Sequence, residues 1–377
     1  MNKQDLYRVI LYAKDYAQCR RRLEQLGVHV LRELPIISGY VVDVPGNAVI
    51  RLAECQGVSY IAADVETEIQ MNVASRVVAA DKLHRKRITG KGVCIAIIDT
   101  GIYPHYDFLR PTNRIKAFVD LTDEKGKQEP YDDNGHGTFV AGVAAGNGFQ
   151  SRGKYQGIAP EADIVVIRAM NKNGRGSTGN VLAAMQWIAD NKDRYGIKVL
   201  SLSLGSAASN LQRDDAMIRG AEALWDMGIT VVVAAGNNGP ESQTITVPGV
   251  SNKIITVGAL DDRRTIVIDD DGIADFSSRG PVGRRIKPDL VAPGVKVQSV
   301  KSDLEYRPGG RIRSGIPQYA RMSGTSVATP IVAGIVALLL QQRPDMTPDQ
   351  VKKWLLDHTV PITRDEMAEG KGLIRCE

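Results

Sequence analysis

Val93-Cys94-Ile95-Ala96-Ile97-Ile98-Asp99-Thr100-Gly101 is the stretch that decides the fold. The run is apolar at every position up to Ile98, then a carboxylate arrives, then a glycine. Apolarity at consecutive rather than alternate positions predicts a strand buried on both faces, as in a parallel sheet covered by helices. The carboxylate falls where such a strand leaves the sheet, and the glycine permits a sharp turn there.

Runs of the same kind recur at 164–169, 199–204, 229–235 and 254–259, and helical stretches fit between them at 136–145, 177–191 and 215–227. This alternation predicts an α/β fold, a doubly wound, mostly parallel sheet over residues 71–377. Ligand chemistry in such a sheet is expected at the carboxyl ends of the strands. Residues 1–70 read differently. Strand patterns at 6–13, 28–34, 36–44 and 58–63 alternate with a helix at 15–26 and a second one opening at Pro45-Gly46-Asn47. The order β-α-β-β-α-β predicts a small ferredoxin-like α+β unit. On the first helix Tyr16, Cys19, Leu23 and Leu26 share a face. The segment 65–75 has no strong period and reads as an extended linker.

Composition narrows the function classes. The 377 residues are 43% apolar and 24% charged with a net charge of +5, ordinary for a soluble globular protein. The basic residues are scattered. The tightest groups, Arg20-Arg21-Arg22 and His84-Arg85-Lys86-Arg87, have no interleaved aromatics, so no nucleic-acid partner is expected. No apolar run reaches the length of a membrane span, and 331–340, interrupted by Gly334, reads as part of a buried helix. The four cysteines, Cys19, Cys55, Cys94 and Cys376, form no CxxC pair, which argues against zinc and for a reducing compartment. Cys94 reads as a small core residue. With no signal-peptide pattern at the N-terminus, cytoplasmic residence is the expectation, with secretion as the alternative.

Three local sequences carry the chemistry. Ile97-Ile98-Asp99-Thr100-Gly101 supplies a carboxylate, Asn134-Gly135-His136-Gly137-Thr138 a histidine opening a helix, and Gly324-Thr325-Ser326-Val327-Ala328-Thr329-Pro330 a serine opening a long apolar helix. A serine hydroxyl becomes a nucleophile only when a base takes its proton. A histidine held by a carboxylate does this near neutral pH. The helix start adds a positive dipole end to the serine. Each residue has a plainer reading as a capping or loop side chain; together they predict an Asp99-His136-Ser326 triad.

With these segments in order, the chain resembles the subtilisin family (subtilases, peptidase S8) over 73–374. Further matching motifs are Ser201-Leu202-Ser203-Leu204-Gly205, Ala234-Ala235-Gly236-Asn237, Phe276-Ser277-Ser278-Arg279-Gly280 and Lys287-Pro288-Asp289-Leu290-Val291-Ala292-Pro293-Gly294. Tyr131 to His136 and 258–262 resemble the AprX-type intracellular alkaline proteases. The resemblance implies a serine endopeptidase of broad specificity acting on proteins and peptides. It implies Asn237 as oxyanion-hole donor. It implies Ser203, Leu204 and Gly205 along one side of the substrate, with Ala234 and Gly236 nearby, and Gly174, Arg175 and Gly176 along the other. An extended peptide would lie between these edges, held by main-chain hydrogen bonds.

The chemistry itself calls for no cofactor. The resemblance implies a structural calcium with Asp107 as a ligand; the plain reading of Asp107 is a loop aspartate. Asp132 and Asp133 read as solvated charges, with the alternative that they favour basic side chains near the S2 subsite; the resemblance implies a cis bond before Pro248, whose plain reading is an ordinary turn proline. The family often has a second histidine three residues after the catalytic one; here it is Phe139. Arg307 to Arg321, with four arginines, reads as an exposed loop near the nucleophile. The N-terminal unit resembles the I9-type inhibitor prodomain, a product-like inhibitor of its own enzyme, with self-cleavage expected within 65–75. The alternative is a catalytically silent scaffold that binds or regulates.

Overall fold

The computed structural model describes residues 6–55, 57–63, 73–122, 129–205, 216–313 and 315–376. The chain divides into two compact units, Met1–Gln70 and Met71–Glu377.

The first unit has β1 (Leu6–Ala13), α1 (Tyr16–Gln25), β2 (Val30–Leu34), β3 (Gly39–Pro45), α2 (Gly46–Ala53) and β4 (Val58–Ala63), in the spatial strand order β2-β3-β1-β4. All its pairings are antiparallel. Asp15 caps α1, its carboxylate accepting from the Gln18 N–H at 2.9 Å. Cys19 and Leu23 are buried with Val9, Leu11, Tyr40 and Val42. Leu26, expected on the same face, is exposed because α1 ends at Gln25. The expected strand 36–44 begins late, since Pro35–Ile37 close a 3₁₀ turn first. Pro45 has no N–H to donate and its fixed φ suits a helix start; it is the residue before α2.

The second unit starts with α3 (Val73–Val77) and α4 (Ala80–Arg85). Most of the expected linker 65–75 lies outside the described residues; its end, 73–75, is helical rather than extended. The strands β5 (Cys94–Asp99), β6 (Ile115–Asp120), β7 (Asp163–Arg168), β8 (Ile197–Leu202), β9 (Thr230–Ala234), β10 (Ile255–Asp261) and β12 (Leu290–Pro293) form a parallel sheet in the order β12-β10-β9-β8-β5-β7-β6. The short β11 (Gly272–Ile273) pairs antiparallel with β10, and β15 (Thr359–Val360) and β16 (Leu373–Ile374) extend the β12 edge. The sequence grows one way from β5 to β7 and β6, then returns to add β8 onward, so the strand order reverses beside β5. In a doubly wound sheet the crevice at that reversal, at the carboxyl ends, is where ligands bind.

Helices α5 (Tyr106–Leu109), α6 (His136–Ala145), α7 (Thr178–Tyr195), α8 (Ala216–Asp226), α9 (Thr325–Gln342), α10 (Pro348–Asp357) and α11 (Glu366–Glu369) complete the unit. Both α6 and α9 are apolar around their whole circumference because both are interior: α9 packs on α6 and on β8, β9 and β10. Among the described residues α9 is the one helix long and apolar enough to cross a membrane, and it is a core helix, 83% buried. Cys94 lies in this core. Burial pushes its thiol up to about 12, which removes thiolate chemistry. The stretch Arg307 to Arg321 is not all loop: β14 (Tyr319–Met322) pairs antiparallel with β13 (Val297–Val300), and Arg313 is tied to Asp303 and Glu305.

Candidate active site

Asp99 ends a strand, His136 and Ser326 lie at helix starts, and Asn237 follows the carboxyl end of β9 by three residues. Asp99 is the last residue of β5 and has no solvent exposure. An isolated buried carboxylate would be costly; this one accepts from the Thr100 N–H at 2.7 Å and from an imidazole. His136 Nδ1 meets Asp99 Oδ1 at 2.8 Å and Oδ2 at 2.9 Å. Both oxygens face one ring nitrogen, so Nδ1 is the protonated one and Nε2 is the basic one. Burial by itself pushes the His136 imidazole down. The charge and hydrogen bond of Asp99, with a further pull from Asp132, leave it above its ordinary value.

The close contact requires glycine after the histidine. A Cβ at Gly137 would lie 2.2 Å from the Gly101 carbonyl oxygen and 3.1 Å from Asp99 Cβ. With any other residue there, α6 would have to draw back from β5, taking His136 with it.

Ser326 is the second residue of α9. Thr325 N–H and the Thr325 hydroxyl both donate to Asn237 Oδ1, at 2.9 and 3.0 Å. That fixes which end of the Asn237 amide is which and sends its NH₂ toward the serine. The Ser326 Oγ and Asn237 Nδ2 both lie around Gly324, 2.9 and 3.6 Å from where a Cβ on that glycine would stand. Gly324 has φ 156°, and a side chain there would fill the space over the serine oxygen. Ser203 adds a brace: its hydroxyl donates to the Ser326 carbonyl at 2.9 Å.

The remaining expected residues flank this centre. Ser203, Leu204 and Gly205 follow β8, Ala234 ends β9, and Gly236 and Asn237 come next. Gly236 N–H donates to the Thr325 hydroxyl at 3.2 Å. Gly174, Arg175 and Gly176 form an exposed turn after β7, tied to the histidine segment by Asn134 Nδ2, which donates to the Lys172 carbonyl at 3.0 Å. A cleft of about 280 Å³ lined by Thr122, Asn171, Arg175, Gly176, Ser177 and Asn180 adjoins that turn.

Asp132 corrects a sequence reading. It is buried, not solvated. Its carboxylate accepts from the N–H groups of Asn134, Gly135 and Thr138 at 3.2, 2.8 and 2.8 Å, and from the hydroxyls of Thr100 and Thr138 at 2.9 and 2.7 Å. It is thus the anion at the N-terminus of α6. The sequence signal for this was present: an acidic residue just ahead of a helix start is a capping signature. Asp133 is also engaged, paired with Arg168 at 2.8 Å.

Asp107 is fully buried in α5. Its carboxylate accepts from the Tyr319 hydroxyl at 2.9 and 3.1 Å and from the Gln150 N–H at 2.8 Å, while His105 Nδ1 accepts from the Asp107 N–H at 3.1 Å. Calcium needs six to eight oxygen ligands. This surrounding presents donors instead, and among the described residues no cluster of three His, Cys, Asp or Glu suits a metal. The residues present do not fit a calcium ion at Asp107. Phe139 is packed in the core, and the Val247-Pro248 bond is cis.

The chain is similar to known proteins over most of its length. The profile of the subtilase family, Peptidase_S8, matches residues 90–372. Serine protease AprX of Bacillus subtilis (strain 168) is 45% identical over 341 residues, 86% of this chain and 75% of the relative. M-protease of Shouchella clausii (strain KSM-K16) is 30% identical over 357 residues, 94% of this chain and 82% of the relative. Among solved structures, Sphericase superposes with a TM-score of 0.66 at 29% identity, covering 77% of this chain and 93% of its own. The chain belongs to the subtilase family and is a serine-type endopeptidase.

Proposed function

We propose that Ser326 is the nucleophile, His136 its general base and Asp99 the carboxylate that holds the base. The observation that carries this reading is the two-oxygen grip of Asp99 on His136 Nδ1, which directs the basic Nε2 away from Asp99. On this reading His136 takes the Ser326 proton as Oγ attacks the peptide carbonyl, then returns a proton to the departing amine. Asn237 Nδ2 and the Ser326 N–H receive the oxyanion. The orientation of the Asn237 amide by Thr325 supports its part, because a donor fixed beforehand needs no reorganisation in the transition state. The substrate is an extended segment between the 174–176 and 203–205 edges. Recognition through backbone supports broad specificity.

The N-terminal unit, with its ferredoxin-like strand order and its likeness to I9-type prodomains, acts on this reading as an intramolecular inhibitor released by self-cleavage within 65–75. Cytoplasmic residence is proposed with it; cell fractionation separates it from secretion.

The test compares wild type with Ser326→Ala by intact mass and by hydrolysis of casein or a tetrapeptide anilide. Wild type is expected to shorten by the N-terminal unit and to hydrolyse both, and Ser326→Ala to stay full length with activity lower by about 10⁶-fold, the scale known for subtilisin. If both proteins stay full length and neither hydrolyses substrate, the scaffold reading replaces this one.

A further inference from the structure

Beside Asp99 in the sheet lies a buried guanidinium that the proposed chemistry does not use. Arg168 is the last residue of β7 and is 3% exposed. In the sheet register it sits between Asp99 on β5 and Asp120 on β6. Its Nη1 donates to the Thr100 carbonyl and, at 2.8 Å, to Asp133 Oδ1. Its Nε donates to Thr122 Oγ1 at 3.2 Å and stands 3.7 Å from Asp120 Oδ2. The guanidinium carbon lies 4.7 Å from the centre of the Tyr131 ring, and the Tyr131 hydroxyl donates to Asp120.

Burying a cation is expensive, and a pair of apolar residues often stabilises a core as well. What this one does that an apolar residue would not is bind two chain segments at defined atoms. The Thr100 carbonyl belongs to the segment that carries Asp99. Asp133 and Tyr131 belong to the segment that carries His136. The same two segments are joined a second time by the Thr100 hydroxyl, which donates to Asp132 Oδ1 at 2.9 Å and accepts from the Gly137 N–H at 2.9 Å. Arg168 and Thr100 thus join the two segments at separate atoms.

We propose that Arg168 is a positioning residue for the Asp99–His136 pair: its planar fork sets the spacing of the 99–101 and 131–137 segments and thereby the two-oxygen contact on Nδ1. The inference rests on the triad reading given above. Both bridging bonds leave from Nη1, whose direction is fixed by the Nε contacts to Thr122 and Asp120; a lysine ammonium keeps the charge but lacks that second anchor. An Asp–His contact that loosens without any change in nearby charge lets the imidazole fall back toward its ordinary value. It also misplaces the base in the transition state, where small displacements are costly.

Arg168→Lys is the variant to make, with rates expressed per site titrated by an irreversible serine-directed sulfonyl fluoride. The expected result is a kcat about tenfold lower with KM within about twofold, from loss of base alignment. The acid limb of kcat/KM moves to lower pH by about half a unit, because the carboxylate holds the proton less well. In Ser326→Ala/Arg168→Lys the low-field proton resonance of His136 Nδ1 shifts upfield. Thr122→Ala, which removes one fork acceptor at unchanged charge, moves the same readings in the same direction by less, and decides alone if Arg168→Lys does not fold. A purely structural arginine would lower the melting temperature and the yield of titratable sites while leaving kcat per site, the acid limb and the resonance where they were; that result overturns the inference. Failure of the triad reading looks different: wild type itself is then neither titrated nor active.

Discussion

Helices α6 and α9 start on the same rim, each directly after a glycine, and yet their first turns are finished differently. At α6 the positive end of the helix is occupied from within the chain: Asp132 takes three N–H groups and two hydroxyls. At α9 a neutral side chain takes that place: Asn237 turns its oxygen to the Thr325 N–H and hydroxyl and its NH₂ toward Ser326. The first turn of a helix leaves N–H groups without intrahelical partners. At α6 they are met from within the chain, the His136 N–H by Asn134 Oδ1, the Gly137 N–H by the Thr100 hydroxyl and the Thr138 N–H by Asp132, and the turn holds a side chain, His136, in place. At α9 the Thr325, Val327 and Ala328 N–H groups have acceptors, and the Ser326 N–H is the one proposed to meet an anion that exists only during reaction. The same backbone feature serves support in one case and, on the proposed reading, catalysis in the other.

The comparison breaks most readily at α9. Asn237→Ala removes the fixed NH₂ donor and is expected to lower kcat by about 10²–10³ with KM little changed, measured on a tetrapeptide anilide. An equal loss through KM would mean that Asn237 binds the ground state. At α6 the expected failure is of folding rather than of chemistry. Asp132→Ala leaves several buried donors without an acceptor and is expected to cost about 3 kcal/mol of stability, read from denaturant unfolding of a Ser326→Ala background that does not digest itself. Loss of activity without loss of stability would count against the capping account.

Asp132→Asn sharpens the difference between shape and charge. Asp132 is among the groups that hold the His136 imidazole up. Neutralising it therefore lowers the imidazole, and activity, which needs the neutral ring, extends to lower pH. In wild type the sign follows from the same shift: the acid limb of kcat/KM lies above the ordinary histidine value of about 6.5, and rates fall as pH drops through it. An acid limb at or below that value would show that Asp99 does not hold the proton. The smallest expected effect is that of Thr325→Val. It removes the hydroxyl that donates to Asn237 Oδ1 and accepts from Gly236 N–H, while the Thr325 N–H still orients the amide. A fall in kcat of about three- to tenfold is expected; a fall as large as that of Asn237→Ala would mean the hydroxyl alone orients the amide.

How much of this was legible beforehand differs by element. The strand 93–98 and the helix at 136–145 could be placed within about a residue, because their patterns are set by burial on both faces and by a glycine-flanked start. Strand β6 was not read. Its burial is interrupted at Lys116 and only partial at Ala117 and Val119, as at an edge of the sheet, so it gives no continuous run. The hairpin β13–β14 was hidden for a related reason: Tyr319–Met322 is a strand by its pairing with Val297–Val300, not by its own pattern. Within the site, Asp132 was read as a solvated charge although four of its five partners lie within six residues, at Asn134, Gly135 and Thr138; the Thr100 hydroxyl is the distant one. The surrounding of Asp107 could not be read, since its main donor, Tyr319, is 212 residues away.

The sequence by itself determined the layer pattern of the sheet, the segments that would carry a carboxylate, an imidazole and a hydroxyl, and the family to which they belong. These are local matters: apolar runs, glycines beside a reactive residue, and capping signals act over a few residues. Only the tertiary structure decided which charges are sheltered and which face water, which end of Asn237 meets the serine, and that a guanidinium stands beside Asp99. Those outcomes depend on what distant segments bring to one place, and the desolvation and hydrogen bonding that set them exist only once the strands have assembled.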